Sequence, residues 1–340
     1  MGTTPSTPRD LFVGELRREY YLSDAGVQGE KPGGNLLYAA AGYLIWEHEY
    51  QPGLLTRVGD DFPREWLELA AAQGINIQGV TFLPDPLDLR ICYGWQENQL
   101  QRLSDPVSYC AEQEIPLPKA LRDCRDREVW VPDRRARKPT SIREEDIPRG
   151  YVGATGAHLC HQDYLSHHLL PAVLRKRGFT TLTLDPAAEY MEPGFLGAIP
   201  ALITGLTAFL PSEEELRTLY KGQKADLWEI AEDLSRYGCP IIVIKRGEAG
   251  QLVYDRESGR RWELPAYPSR VTNPVGAGDA FCGGFLAGYR RTFDPLQAAL
   301  HGSIAASLVV EGSGPFYPLN TIPGLRNARR EHLQSQVREI

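Results

Sequence analysis

The stretch Asn273–Tyr289, NPVGAGDAFCGGFLAGY, sets three small residues directly before an aspartate and follows it with helix-forming, largely apolar residues. Glycine is costly in an ordered chain unless the backbone turns sharply or lets another group come close. A turn through Gly276, Ala277 and Gly278 aims successive backbone N–H groups into one concavity. A helix starting at Gly278 or Asp279 adds its positive end to that field, and such a nest binds oxyanions, phosphate above all. Asp279 would then stand beside a phosphoryl group, placed to take a proton from an attacking alcohol; phosphoryl transfer asks for little else from a protein. The same residues are equally explained by a tight strand-to-helix turn with Asp279 as its N-cap. The stretch alone leaves both readings open.

Outward from it, short apolar runs alternate with longer helical patterns. DLFVGEL (10–16) reads as a first strand, NLLYAAAGYLIW (35–46) as a helix, LLTRVG as a strand, and DFPREWLELAAAQG as a helix closed by Gly74. The alternation returns at RGYVGATGAHL, HQDYLSHHLLPAVLRKRG, FTTLTLD, SEEELRTLYKG, DLWEIAEDLSRYG and CPIIVIKRG. Strands separated by helices imply crossovers, hence an α/β fold with a mainly parallel sheet covered on both faces. Two regions break the rhythm: residues 20–32, where only a short connection is needed, and residues 84–149, with eight prolines and alternating fragments such as LDLRICYGW and EVWVP. They read as a small β-rich flap at one edge of the body. The terminal RNARREHLQSQVREI reads as a surface helix or a frayed tail.

The chain of 340 residues has 42% hydrophobic and 24% charged residues, enough apolar material for a sizeable core. A net charge of −7 speaks against a binder of nucleic-acid phosphates, which carry a basic surplus. No run approaches the ~20 apolar residues that span a bilayer. The N-terminus is polar; its MGTTPS fits an acylation pattern but lacks a second anchor. Six cysteines at wide, irregular spacing predict reduced, packed thiols, and cytoplasmic localisation is the expectation.

Asn273–Gly288 strongly resembles the C-terminal signature of the ribokinase / phosphofructokinase-B family of carbohydrate kinases, D-x-x-G-A-G-D-x-F. FVGELRREY, PGGNLLYAAAG, RVGDDFPREWLELAAAQGI, FLPSEEEL and IIVIKRGEAGQLVY resemble other family segments in the right order, so the likeness covers roughly residues 10–318. It implies a single ribokinase-like domain over residues 1–340. The expected architecture is a three-layer α/β/α body with a β-rich lid drawn from about 17–33 and 84–149. The implied activity is ATP- and Mg2+-dependent phosphorylation of a hydroxyl on a sugar or sugar acid.

Residue by residue, the resemblance implies Asp279 as the base and Gly276–Gly278 as the anion hole. Gly33 and Gly34 would let the backbone approach the substrate, with Asn35, Arg17, Glu19 and Tyr38 around it. Lys245, Arg246, Gly247, Gly250 and Asn273 would border the nucleotide, and Glu215, with Ser212, would reach magnesium through water. Several positions depart from the family pattern. Glu19 stands for an aspartate, Tyr38 for an asparagine, Arg17 for a frequent asparagine, and Ser212 for an asparagine. Asn273 replaces an aspartate, which puts potassium activation in doubt. These changes argue for an acceptor other than plain ribose, with a carboxylate, a phosphate or a flat ring.

Structural explanations stand beside several of these roles. Arg17 pairs equally well with Glu15 or Glu19. Ser212 followed by Glu215 is a capping box, compatible with a metal role. Lys245 and Arg246 supply countercharge for a triphosphate or simply face solvent.

Three further signals count for less. HLCHQDYLSHH holds four histidines without metal-helix spacing and reads as surface and helix-end histidines. DRRARK reads as a solvated loop, and Cys282, three residues past the base, as turned away for packing. Two rivals use the same fold: a nucleoside kinase, with Tyr38 stacking on the base, and a catalytically silent sensor, against which the intact GAGD speaks. Nucleic-acid binding through DRRARK predicts steep salt dependence. Many members of the family pair through their lids, which makes a homodimer conceivable here.

Overall fold

A computed structural model describes residues 7–23, 26–96, 99–124, 133–322 and 324–340. The first six residues and the fragment EVWVP lie outside them. The first half of the large body is built from β1 (Asp10–Val13), α1 (Asn35–Leu44), β4 (Gly53–Val58), α2 (Arg64–Ala72) and β5 (Asn76–Phe82). Between β1 and α1 run β2 (Arg17–Ser23) and β3 (Gly26–Gly33); after β5 come β6 (Arg90–Gln96), β7 (Gln99–Arg102) and α3 (Pro106–Glu112).

The second half alternates again: β8 (Gly156–Leu159), α4 (Tyr164–Lys176), β9 (Thr181–Leu184), α5 (Ile199–Ile203), β10 (Ala208–Phe209), α6 (Glu213–Leu219), α7 (Leu227–Ser235) and β11 (Ile241–Lys245). It closes with β12 (Gln251–Asp255), β13 (Arg260–Leu264), α8 (Ala277–Thr292), α9 (Pro295–Val309), α10 (Leu325–Gln334) and β14 (Arg338–Glu339).

The large sheet has the order β14-β13-β12-β11-β10-β9-β8-β1-β4-β5. Every pairing from β5 to β11 is parallel, and β11 to β14 are antiparallel. Strand alternation divides the core between the two faces. Phe12, Val243 and Ile241 point into one layer with α1, α8 and α9; Leu11, Val13, Ile242 and Ile244 point into the other with α4–α7. Strands apolar on both sides need both faces covered, which is the three-layer ribokinase-like arrangement the sequence implies.

A second sheet, β3-β2-β6-β7, forms the lid, and Tyr20, Leu22, Cys92, Leu103 and Tyr109 make its own small core. Three differences from the sequence reading stand out. The proline-rich insert contains a helix, α3, started by Asp105, whose carboxylate accepts from the N–H groups of Val107 and Ser108. Ile142, Ile147 and Tyr151 pack into the core of the large body, so the chain leaves the lid before residue 149. The C-terminal residues do not fray: β14 pairs with β13.

α1 and α8 touch backbone to backbone. A Cβ at Gly42 would fall 2.1 Å from the Ala280 carbonyl oxygen, and one at Gly283 would fall 1.8 Å from that of Ala39. Only glycine permits this approach.

Candidate active site

α8 starts at Ala277, and its N-cap is Gly276, left-handed at φ 79. The turn before it is pinned: Asn273 Oδ1 accepts the Val275 N–H at 2.9 Å, and the N–H groups of Thr272 and Asn273 both reach the Val310 carbonyl. Asp279 therefore sits in the first turn of the helix, not at the cap, and its half-buried carboxylate lines a cleft of about 500 Å3. The capping alternative is not realised, because the helix begins two residues earlier than Asp279. Burial pushes the Asp279 carboxyl above its ordinary range, and the nearby imidazole of His161 pulls it back down.

Opposite Asp279 the cleft is bounded by Gly34 and Asn35 at the start of α1, and by Arg17, Ile91, Tyr93 and Arg102 from the lid. Arg17 is ion-paired with Glu15. Asn35 fixes the local backbone, accepting the Glu15 N–H at 2.8 Å and donating to the His161 carbonyl at 3.0 Å.

Glu19 is placed behind this wall, 1% exposed. It accepts the Gly34 N–H at 2.9 Å and the hydroxyls of Tyr21 at 2.7 Å and Tyr38 at 3.0 Å. Burial raises its pKa even against those hydrogen bonds. Gly33 makes room for it, since a Cβ there would meet the carboxylate at 2.0 Å. Tyr38 is 1% exposed, so the expected base-stacking face is already spent inside the protein. The aromatic surface on the cleft is instead Tyr93.

A second cleft of about 720 Å3 is lined by Ser212, Lys221, Lys245, Arg246 and Gly247, among others. Its four cationic side chains, Arg217, Lys221, Lys245 and Arg246, outnumber Glu213 and Glu214 on the same wall and suit a polyphosphate. Arg246 is shared with Glu263 at 2.9 Å, and Gly250 makes the β11–β12 turn at φ 82. Ser212 and Glu215 form the capping box: Glu215 accepts from Ser212 N–H at 2.7 Å and from its hydroxyl at 2.8 Å. Burial, with Asp185 next in weight, holds the Glu215 carboxyl above its ordinary range.

Three expectations are corrected by what lies between the clefts. His158 and His167 belong to the core, at 1% and 0% exposure, while His161 stands in the Asp279 cleft; the segment does not line the surface. Cys282 is not turned away, because residues three apart share a helix face. Its Sγ lies 3.4 Å from Asp185 Oδ2 and 3.8 Å from Lys245 Nζ. DRRARK is not wholly a solvated loop, since Lys138 lines the Asp279 cleft and pairs with Glu189 at 3.4 Å. His161 and Asp185 were missed. The signal for Asp185 was its place, at the C-terminal end of a strand in a parallel sheet, where such folds bind ligands.

A family model described as pfkB family carbohydrate kinase matches residues 166–322. The cytidine kinase of Thermococcus kodakarensis is 29% identical over 244 residues, 70% of this chain and 74% of that protein. Among solved structures, the nucleoside kinase of Burkholderia thailandensis in complex with inosine superposes with a TM-score of 0.69 at 17% identity, covering 96% of this chain and 99% of that one. A putative ribokinase II from E. coli in complex with ATP and Mg2+ gives 0.68 at 17%, with the same coverage. Over residues 166–322 the chain is of the PfkB family, and its fold throughout is ribokinase-like. In this PfkB-family kinase the signature stretch is the cradle before α8, and the matched residues run from α4 to just short of α10. No helix among the described residues is long and apolar enough to cross a membrane.

Proposed function

We propose that this PfkB-family kinase transfers the γ-phosphoryl group of ATP to a hydroxyl of a sugar-containing small molecule, with Asp279 as general base. The observation that carries the reading is the Asp279 carboxylate, held on the cleft wall two residues into α8, at the helix end whose positive field suits an anion. The acceptor O–H gives its proton to Asp279 as its oxygen bonds to the γ-phosphorus. The bond from that phosphorus to the β–γ bridging oxygen breaks, and ADP leaves. The backbone N–H groups of Gly276 and Gly278 stabilise the equatorial oxygens, the Ala277 N–H being given to the Pro274 carbonyl at 3.2 Å. Lys245 and Arg246 face the donor phosphates. Magnesium neutralises phosphate charge when bound, and Glu215 with Ser212 would hold its water shell. Lid residues Ile91, Tyr93 and Arg102 close over the acceptor and exclude water.

Two acceptor classes share this chemistry. A free sugar or sugar acid matches the polar wall of Arg17, Asn35 and Lys138. A nucleoside is favoured by the apolar and aromatic lid face of Ile91 and Tyr93, and by the likeness to a cytidine kinase. An ADP-release assay over sugars, sugar acids, polyols and nucleosides decides between them. Release with no member of the panel above the rate of buffer alone would overturn the kinase reading.

A further inference from the structure

Asp185 sits just past the end of β9, 1% exposed, beneath both clefts. Its Oδ2 accepts from Lys245 Nζ at 2.5 Å and from Cys282 Sγ at 3.4 Å, and lies 3.2 Å from His161 Nε2 as an ion pair without hydrogen-bond geometry. These partners arrive from the C-terminal ends of β11 and β8 and from the first turns of α8, so one carboxylate ties the sheet edge to the helix that carries Asp279. Its other oxygen meets no donor among the described residues.

The two cations face different spaces. Lys245 lines the cleft assigned to the nucleotide; His161 lines the cleft of Asp279. The donor atoms of His161, Asp185 and Asp279 all lie within 4.8 Å of one another. A buried carboxylate is costly unless paired, and removing it would strip the field that keeps both cations charged and in place.

We propose that Asp185 is a positioning residue that holds one cation on each side of the phosphoryl path, Lys245 beside the donor and His161 beside the acceptor. The phosphoryl group passing from ATP to the new ester, and the charge left on ADP, then stay flanked by fixed positive charge throughout. The proposal rests on the kinase reading above for what moves along that path. The cluster is not a bare core ion pair, because a buried structural pair has no reason to show one cation to each of two clefts. Lys245 already supplies the cation that a metal would bring to Asp185, and a metal bound to Asp279 would occupy the lone pair the base requires.

Burial alone would discharge the His161 imidazole, but Asp185, then Asp279 and Glu215, hold its pKa at about 10. Burial likewise opposes charge on Asp185, and Lys245 and His161 drive its pKa far below the usual carboxylate range. Among the described residues, Glu15, Glu189, Arg17, Arg102 and Lys138 line the same cleft as His161, Lys245 shares its Asp185 partner, and the neighbouring Cys282 thiol is kept protonated by burial.

The test uses the full chain with Asp185→Asn and His161→Gln, the second at a side chain whose Nε2 end is buried but whose outer part reaches the cleft. NMR of the free protein follows the His161 ring from pH 5.5 to 10. In the wild type it should stay protonated past pH 9; in Asp185→Asn it should titrate near about 6.5. Calorimetry then compares MgADP with MgADP plus aluminium fluoride, a planar stand-in for the transferring group. Asp185→Asn should lose the extra affinity for the fluoride complex, on the order of 10²-fold, with MgADP affinity nearly unchanged. His161→Gln should lose about 10-fold of the same difference. An unmoved histidine titration, or equal losses for both nucleotide complexes, would overturn the proposal. Neither measurement needs an acceptor, so a failed substrate panel would sink the kinase reading alone.

Discussion

The ring of Tyr38 occupies the space that a side chain at position 276 would need: a Cβ on Gly276 would lie 2.1 Å from the Cγ of Tyr38. Gly276 also has φ 79, which L-residues adopt only at a cost. Gly276→Ala is therefore strained twice. The variant should lose about 1–3 kcal/mol of stability in chemical denaturation. Turnover should fall further than stability explains, because the cradle must shift. A Gly276→Ala, Tyr38→Ala double variant should recover packing but not the backbone strain, and an additive pair of losses would show the two residues to be uncoupled.

Tyr38→Phe removes one of the donors that hold the buried Glu19 carboxylate while keeping the ring against Gly276. The loss of a hydrogen bond to a buried charged group is worth about 1.5–3 kcal/mol. Glu19 should become easier to protonate, moving further in the direction burial already pushes it. The measurement is urea unfolding of Tyr38→Phe beside Tyr38→Phe, Glu19→Gln; the second substitution should restore part of the loss.

Asp279→Asn should lower kcat on the order of 10³-fold or more, within the range general base catalysis supplies. ADP affinity by calorimetry should stay within a few-fold, since the amide cradle is backbone. Retention of a tenth of the wild-type rate would remove Asp279 from its assigned role.

Ser212→Ala breaks the capping box at the start of α6 and should cost about 1 kcal/mol. Glu215→Gln keeps most of that cap but removes a charge beside the nucleotide cleft. If Glu215 orders the magnesium shell, its apparent magnesium requirement in the ADP-release assay should rise at least several-fold, while the melting temperature changes less than in Ser212→Ala.

The core histidines make the fold acid-sensitive. Burial lowers the pKa of His158 to about 3 and of His167 to about 4. His167 is satisfied as a neutral ring, its Nε2–H donating to the Cys160 carbonyl at 2.8 Å and its Nδ1 accepting from the Tyr190 hydroxyl at 2.6 Å. A folded-state pKa below the unfolded value means stability is full above about pH 6.5 and is lost as pH falls below it. Melting temperature should drop steadily from pH 7 to pH 4.5. His167→Gln should flatten the slope by up to about 1.4 kcal/mol per pH unit.

Where chemistry and fold coincide in a short stretch, the sequence was readable. Gly276–Asp279 carries its backbone demand and its carboxylate in four adjacent letters, and Ser212 with Glu215 announces a helix start by spacing alone. The parallel strands showed themselves as apolar runs. What could not be read was set by contacts across the sheet. His161, Asp185 and Lys245 are far apart in the chain and meet only because β8, β9 and β11 end at the same edge. Glu19 and Tyr38 looked like cleft residues by position and were instead drawn inward, because a buried carboxylate collects every donor within reach. Cys282 was misjudged by a simple rule of helix geometry, three residues being nearly one full turn.

The bare contact of α1 with α8 through Gly42 and Gly283 has a mechanical meaning. The end of α1 that presents Gly34 and Asn35 and the end of α8 that presents the cradle and Asp279 are welded into one unit. Swinging of the four-stranded sheet can alter how often an acceptor arrives and how dry it becomes. It cannot retune the alignment of base against cradle, which comes ready-made with the folded body.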